Sequence, residues 1–299
     1  MEIINGTIRS EIDQLDLLYE IMIPDHIKGV VQFSHGMCEY KERYEPFMEY
    51  LANKGYVACI HDHRGHGGSV KKIDDLGFFY NSNYDSLVED LHLITKLLKE
   101  RFPGQPLYMF SHSMGTLVSR NYLKKYACDL DKLVLCGPPT YNPFAKLALK
   151  MTLHDTKKNG ERKRNQRMTN LAFFGFNRDG KNSWLSMDKD NVEAYNSHPL
   201  CGFVFTNNAY AHLFSLLINA YDKDNWSETH LDIPILIVAG KDDPVIQSEA
   251  KIGHLISFLT DRGYNNVYCH LYEGLRHEIL NETCKATIYK DLYRFFEKG

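Results

Sequence analysis

An apolar strand that runs straight into a serine-centred turn and then a helix constrains this chain more than any other feature. Residues 107–110 are apolar or aromatic, residues 111–115 read Ser-His-Ser-Met-Gly, and residues 116–126 have a helical pattern. This context is typical of a nucleophile elbow, a sharp turn that exposes a serine hydroxyl above a sheet. Small residues two positions before and after the serine let strand and helix approach closely. Ser113 is therefore a candidate nucleophile; the alternative is an ordinary strand-to-helix turn.

Two later strand ends supply an acid and a base in the order that such a serine needs. The apolar run 233–240 is typical of a strand buried on both faces, and Asp242 and Asp243 follow it. Residues 266–272 predict another strand, and His277 comes shortly after. Open α/β sheets place their sites at the carboxyl ends of parallel strands, so we expect the serine, an aspartate and the histidine at one edge. The order serine, acid, histidine is that of a known catalytic triad.

A loop early in the chain is suited to an oxyanion hole. The predicted strand 29–34 leads into His-Gly-Met-Cys-Glu at 35–39. One backbone N–H from such a loop and one from the residue after the nucleophile stabilise a tetrahedral oxyanion. We expect these donors to be Met37 and Met114, and we interpret Gly36 as the residue that lets the chain turn back towards the serine.

Together these motifs resemble those of the monoacylglycerol lipase and lysophospholipase branch of the α/β-hydrolases. The matching segments are 35–39 with Arg43 and Tyr44, 61–69, 111–115, 199–200, 240–243 and 272–277. The resemblance implies an α/β-hydrolase fold, a mostly parallel eight-stranded sheet flanked by helices, with a helical lid inserted after strand 6. There are two departures: Ser111 replaces the elbow glycine, and Tyr40 stands where a histidine often follows the glutamate.

The resemblance also implies the chemistry. Ser113, Asp243 and His277 would form the triad, with Asp243 preferred to Asp242 because two residues separate the family's acid from Gly240. The reaction would be hydrolysis of a lipophilic monoacyl ester, of the monoacylglycerol or lysophospholipid type, through an acyl-enzyme. A short-chain carboxylesterase or a serine peptidase with the same triad is an alternative. A non-catalytic binding protein of this fold is another, which a missing triad member would favour.

Strands and helices alternate along most of the chain, which predicts parallel βαβ units. We expect a hydrolase core at 1–137 and 206–299, interrupted by a lid at 138–205. The apolar and aromatic residues of this lid, Phe173 and Phe174 among them, suggest a channel for a greasy substrate; alternatively they only hold the lid together.

Charged residues near the expected site have two interpretations each. Glu39 and Arg43 are candidates to contact the polar end of a substrate, or they form a structural salt bridge. The basic segment 157–167 could touch an anionic membrane surface transiently, or it is a solvated loop.

Three histidines, His61, His63 and His66, have a spacing like that of metallo-hydrolases, but Gly65 stands where that motif has an aspartate. We therefore expect neither metal nor cofactor. His35 and His66 are expected to stabilise loops near the site.

Composition bears on the partners and the cellular compartment that we expect for this protein. The net charge of −3 does not favour nucleic acid, and seven scattered cysteines without a C-x-x-C motif indicate free thiols in a reducing, cytoplasmic compartment. The N-terminus does not resemble a signal peptide, and no apolar run is long enough to span a bilayer. The oligomeric state stays open.

Overall fold

A single eight-stranded sheet organises the chain in a computed structural model that describes residues 1–298. The strands are β1 Glu2–Arg9, β2 Asp16–Ile23, β3 Gly29–Ser34, β4 Tyr56–His61, β5 Leu107–His112, β6 Lys132–Cys136, β7 Ile235–Gly240 and β8 Val267–Tyr272. They lie in the order β1-β2-β4-β3-β5-β6-β7-β8. Only β2 runs against its neighbours, so the sheet is mostly parallel as predicted.

Helices follow most of the parallel strands. They are α1 Glu45–Ala52, α2 Ser86–Arg101, α3 Met114–Tyr126, α4 Ala145–Asn159, α5 Gln166–Ala172, α6 Lys189–Ser197, α7 Asn207–Ala220, α8 Glu249–Thr260 and α9 Lys285–Glu297. Short 3-10 turns lie at 41–44, 73–75, 127–129, 183–185 and 279–281. None of the helices within residues 1–298 has both the length and the apolar content to cross a bilayer.

The central strands are apolar because both of their faces are covered. One hydrophobic cluster packs α2, α3 and α8 on one side of the sheet, and a second packs α1 and α9 on the other. Strands β3, β4, β5 and β6 are buried along their whole length, whereas the edge strand β8 is largely exposed. Continuous apolar runs are the pattern that parallel strands buried on both faces require.

Between β6 and β7 the chain leaves the sheet and forms α4 to α7. Helix α4 packs against α7, and α7 packs against α3, so this insertion lies on the helix that begins at the serine turn. A backbone bridge between Arg164 and Thr206 closes the base of the insertion. The division into a core and a 138–205 lid stays a prediction.

Candidate active site

Ser113 occupies the turn between β5 and α3 in a conformation that side chains rarely adopt. Its φ is 50° and its ψ is −118°, and its backbone N–H donates to Cys136 O at 2.9 Å. A Cβ on Gly115 would collide with the carbonyl oxygen of Ser34, so only glycine allows α3 to lie so close to β3. Such strain persists where the surrounding structure holds it, often at functional sites.

Ser111 fits the position at which the family has glycine because its hydroxyl finds partners inside the sheet. Its Oγ donates to Val134 O at 2.8 Å and accepts from Ser119 Oγ at 2.9 Å. The side chain is fully buried and leaves no polar atom unpaired. The departure from glycine therefore does not disturb the turn.

His277 and Asp243 form a buried pair below the cavity that Ser113 lines. His277 Nδ1 lies 2.8 Å from Asp243 Oδ2, and Asp243 Oδ1 accepts from the Val245 N–H at 2.8 Å. With Nδ1 donating to the carboxylate, Nε2 is the free acceptor that a proton-accepting histidine needs. Asp242 is exposed, and its side chain makes no hydrogen bond to His277 within residues 1–298.

The space for this pair depends on Gly137, directly after β6. Gly137 has a φ of +55°, and a Cβ there would lie 3.0 Å from the His277 ring and 3.2 Å from Asp243 Oδ2. Ser113 and His277 line the same cavity, but Ser113 Oγ makes no hydrogen bond to His277 in the described chain. Serine–histidine bonds are often long without substrate and tighten when it binds.

Two backbone N–H groups beside Ser113 are free. Neither Met37 nor Met114 donates a hydrogen bond within residues 1–298, and both residues line the cavity. Met114 is the first residue of α3, where helical geometry leaves the N–H without an intrahelical partner. The partial positive charge of a helix N-terminus also favours an oxyanion there.

Two neutral histidines hold the loop that carries Met37. His35 Nε2 accepts from the His63 N–H at 2.9 Å, so its Nδ1 carries the proton and donates to Gly36 O at 2.8 Å. Because a peptide is planar and trans, fixing Gly36 O also fixes the opposite direction of the Met37 N–H. His66 likewise accepts from the Cys38 N–H at 3.2 Å and donates to Arg64 O. The prediction that His35 and His66 stabilise loops agrees with these contacts.

Glycine is required at position 36, but not for the backbone turn that the sequence suggested. The residue with positive φ in this loop is Cys38, at 57°, whereas Gly36 is not among the residues with positive φ. Glycine is needed at position 36 because a Cβ there would collide with Glu39 and lie 3.2 Å from the Ser113 Cβ. Close approach to Ser113, and not backbone freedom, requires glycine at this position.

Glu39 and Arg43 belong to a buried charge network, and of the two Glu39 lines the cavity. Arg43 donates from Nη1 and Nη2 to Glu278 at 2.7 and 2.6 Å, and to Glu39 Oε2 at 2.9 Å. Glu39 Oε1 accepts from the Gly36 N–H at 2.5 Å and from Tyr44 at 2.8 Å. These contacts favour the structural salt bridge over substrate contact, and Arg43 does not line the main cavity.

His112, next to the serine, completes this network. Its Nδ1 lies 3.1 Å from Glu39 Oε1, and its ring lies 4.6 Å from that of His277. Burial opposes a charge on the imidazole, but the hydrogen bond and charge of Glu39 outweigh it and raise the pKa of His112. Burial would raise the pKa of Glu39, yet His112 and Arg43 hold it below its ordinary value. The network ties the loop after β3 to the loop after β8.

A cavity of about 930 Å³ lies above Ser113, roofed by the insertion. Its apolar lining includes Leu117, Phe173, Phe176, Trp184, Leu213, Phe214 and Leu217. Phe173 lies over Trp184 with ring centroids 5.4 Å apart, and Trp184 lies 5.1 Å from the His277 ring. The prediction for Phe174 was wrong, because its side chain is 85% exposed and does not line the cavity. Helix α5 ends at Ala172, and the turn that follows directs only one of the two aromatics inwards.

The basic segment of the insertion is partly fastened to the core. Arg162 pairs with Asp75 at 2.6 Å and lies over the Phe78 ring, and Arg164 donates to Leu76 and Val204 carbonyls. Lys157, Lys158 and Lys163 remain exposed. The exposed lysines agree with a solvated segment, and contact with a membrane surface stays a prediction.

His61, His63 and His66 are buried, and no group of three or more His, Cys, Asp or Glu residues within 1–298 has the geometry of a metal site. Burial lowers the pKa of His61 and His66 to about 3 and that of His63 well below its ordinary value. Burial raises the pKa of Asp62 to about 7. Both ring nitrogens of His61 lack a partner in the described chain, which makes its protonation in the fold especially costly.

These shifts predict that the protein is sensitive to acid. Histidine pKa values below the unfolded ~6.5 contribute stability that is present above pH 6.5 and is lost as the pH falls. Below pH 6.5, unfolding takes up protons at these histidines and releases protons from Asp62, whose raised pKa acts with the opposite sign. Because three histidines act against one carboxyl group, the free energy of unfolding should fall as the pH is lowered from 6 to 4.

Urea denaturation at several pH values measures this slope. His61→Phe removes one of the titrating groups and should make the loss of stability between pH 6 and 4 smaller. A free energy of unfolding that stays constant between pH 6 and 4 would contradict the assignment of these histidines as neutral.

Sequence patterns missed three residues around the site: Gly137, His112 and Glu278. Gly137 carries a usable signal, since a glycine directly after a buried strand indicates a close approach. His112 and Glu278 are the neighbours of Ser113 and His277, but nothing in the sequence pairs them with Glu39 and Arg43. Trp184 is one of the aromatic residues of the insertion for which the sequence suggested a channel, but its contact with His277 could not be predicted.

A mostly parallel open sheet with a serine on its strand–helix turn, and an acid and a histidine after two later strands, defines the α/β-hydrolase class of serine hydrolases. Within this class, the chain belongs to the family described as serine aminopeptidase, S33 (Hydrolase_4), which it matches over residues 25–284. The predicted fold is confirmed, and the chain is a serine ester hydrolase.

Comparison with known proteins shows which members of this class the chain is similar to. It is 25% identical to a monoacylglycerol lipase of Mycolicibacterium smegmatis, over 92% of this chain and 91% of that protein. It is 25% identical to human monoglyceride lipase, over 87% and 78% of the two chains. The fold is similar to that of a thermostable carboxyl esterase from Bacillus coagulans in complex with glycerol, with a TM-score of 0.89, 24% identity and coverage of 99% and 98%. The resemblance to the monoacylglycerol lipase branch is thereby confirmed.

Proposed function

We propose that this protein hydrolyses lipophilic monoacyl esters, of the monoacylglycerol or lysophospholipid type, through an acyl-enzyme on Ser113. The observation that carries the proposal is the large apolar cavity directly above Ser113 and beside His277. A cavity of this volume is large enough for a drug-sized or lipid-sized ligand. The monoglyceride lipases to which the chain is similar support the same substrate class.

In this mechanism the Ser113 hydroxyl attacks the ester carbonyl while His277 Nε2 accepts its proton. Asp243 keeps the His277 Nδ1–H in place and stabilises the imidazolium that forms. The Met37 and Met114 N–H groups stabilise the oxyanion, each worth about 3 kcal/mol by analogy with other oxyanion holes. His277 then protonates the leaving alcohol, and water hydrolyses the acyl-enzyme by the reverse sequence of proton transfers.

A peptidase role is the alternative that the family's description brings forward. An aminopeptidase needs a free carboxylate to bind the substrate's amino group. The acidic side chains that line the cavity are Glu39 and Glu278, and Arg43 pairs with both. These contacts favour an uncharged or apolar substrate over a peptide N-terminus.

We propose that residues 138–205 of the insertion act as a lid over the cavity. Eleven Lys and Arg against six Asp and Glu give this segment a charge of +5, whereas the chain as a whole has −3. Phe144, Leu147, Leu171 and Phe174 are exposed on it. Exposed apolar side chains beside cations are suited to transient contact with an anionic membrane surface. This contact stays a prediction.

The acyl chain should gain binding energy as it fills the cavity. Each buried methylene is worth about 0.8 kcal/mol, of which a part reaches the transition state. We therefore expect kcat/KM to rise with acyl length to at least about eight carbons and then to level off. Phe173→Ala should flatten this rise while acetate-ester hydrolysis stays largely intact.

An ester panel from two to eighteen acyl carbons, with glycerol and phosphocholine headgroups and one peptide anilide, tests this. Phe174→Ala is the matched control, because its exposed ring should leave the chain-length profile of the wild type unchanged. Acetate esters cleaved as fast as octanoate esters would remove the lipase function and leave a short-chain esterase. The headgroup comparison separates monoacylglycerols from lysophospholipids.

A further inference from the structure

Residues 35–39, which carry the Met37 N–H, are called the oxyanion loop here. Within this loop, Cys38 has the backbone conformation that a residue with a side chain adopts least readily. It follows Met37 directly, its φ is +57°, and its side chain is buried. A residue with a Cβ rarely adopts this left-handed conformation unless neighbouring groups hold it. The groups that hold Cys38 therefore bear on the direction of the Met37 N–H.

Most of these groups come from one segment at the end of the insertion, residues 195–203. The Cys38 carbonyl accepts two hydrogen bonds, from the Tyr195 hydroxyl at 3.0 Å and from the Gly202 N–H at 3.0 Å. Its Sγ lies 2.9 Å from Phe203 O, to which it donates. Within residues 1–298, the hydrogen bond between the core and the Cys38 backbone is the one from the Cys38 N–H to His66 Nε2.

Tyr195 is well placed to act as a fixed donor. It lies on α6, its ring is buried, and the Arg43 guanidinium stands 5.0 Å above the ring centroid. A Cβ on Gly202, whose φ is +64°, would lie 3.4 Å from the Tyr195 ring, so the two donors to Cys38 also pack against each other. Burial raises the pKa of Tyr195 well above its ordinary value, so the hydroxyl keeps its proton at every working pH.

We propose that Tyr195 is a positioning residue for the oxyanion hole: by holding the Cys38 carbonyl it fixes the backbone on the far side of Met37. This rests on the proposed function. His35 holds the peptide group between Gly36 and Met37, and His66 holds the one between Met37 and Cys38. Tyr195 and Gly202 hold the next peptide group, through the Cys38 carbonyl. Three successive planes are thus anchored, and the last anchor belongs to the insertion. The oxyanion hole is complete only when residues 195–203 are docked on the loop.

Tyr195→Phe tests this, because it removes one oxygen and keeps the ring against Arg43 and Gly202. We expect kcat for esters to fall about tenfold, a fraction of the 10²–10³ lost when a whole oxyanion donor is removed, with KM within about twofold. A second readout is specific for the hole. Matched esters and thionoesters differ only in the atom that becomes the anion, and sulfur accepts hydrogen bonds poorly. The ester-to-thionoester rate ratio should fall several-fold in Tyr195→Phe.

Tyr40→Phe is the matched control. Tyr40 stacks on His198 of the same segment at 4.3 Å, but its hydroxyl makes no bond to the oxyanion loop in the described chain. Its rate ratio should equal that of the wild type. If Tyr195→Phe proves too unstable to assay, Cys38→Ala removes the thiol bond to Phe203 and should shift the ratio in the same direction.

The outcomes separate two kinds of failure. A wild-type protein without ester turnover overturns the proposed function, and the positioning role with it. A wild type that hydrolyses esters, with a Tyr195→Phe variant of unchanged rate ratio, overturns the positioning role alone. That conclusion holds whether kcat is normal or reduced, since a merely structural loss does not distinguish oxygen from sulfur.

Discussion

Ser113→Ala is expected to lower ester turnover by about 10⁴–10⁶-fold, by analogy with other serine hydrolases in which the nucleophile was removed. The loss is this large because no acyl-enzyme forms without the hydroxyl, and only the oxyanion donors and substrate binding remain. Steady-state hydrolysis of an octanoate ester measures it. A fluorophosphonate probe should label Ser113 in the wild type and leave the variant unlabelled.

The stability of this variant serves as its control. Alanine keeps the Cβ and therefore the same strain at a φ of 50°, and the backbone bond to Cys136 O is retained. The melting temperature should consequently change little. Near-normal turnover in Ser113→Ala, or probe labelling of another residue, would overturn the proposed mechanism.

Much of the fold could be predicted because the central strands are continuous apolar runs, which are typical of strands buried on both faces of a sheet. Strands β3, β5 and β7 are apolar on both faces, and each is followed by small or polar residues at the carboxyl edge. Local signals were enough there, since burial on both faces requires a continuous apolar run. The ends of elements are less accurate: the sequence pattern of residues 41–54 is helical throughout, but the structure has a 3-10 turn at 41–44 followed by α1 from Glu45 to Ala52.

The details around the site depend on contacts distant in sequence, which no local pattern contains. Phe173 and Phe174 are neighbours with the same side chain, yet only the turn after α5 decides which faces the cavity. Cys38 has the positive φ that sequence rules assign to glycine, because Tyr195 and Gly202 hold its carbonyl from 157 and 164 residues away. The pairing of Arg43 with Glu278 spans 235 residues.

The insertion shows the same limit on a larger scale. Its sequence has aromatic and basic residues but no single period, so the pattern predicts a lid without predicting its helices. The structure forms α4 to α6 there and directs Trp184 against His277. Contacts of this kind determine specificity, and they explain why the triad candidates could be assigned from sequence while the substrate could not.

The second large effect is expected when Asp243, and not its neighbour Asp242, is changed to asparagine. Asp243→Asn should lower kcat by about 10⁴-fold, because an amide nitrogen facing Nδ1 favours the tautomer whose Nε2 carries the proton and cannot accept one from Ser113. Asp243 is buried, and its Oδ2 lies 2.8 Å from His277 Nδ1, so no water replaces the lost acceptor. The matched control is Asp242→Asn, an exposed neighbour with the same change of charge, which should cost less than about tenfold. Steady-state kinetics on one ester compare the two variants, with melting temperatures to show that both are folded. A larger loss in Asp242→Asn than in Asp243→Asn would mean that the wrong carboxylate has been assigned to the triad.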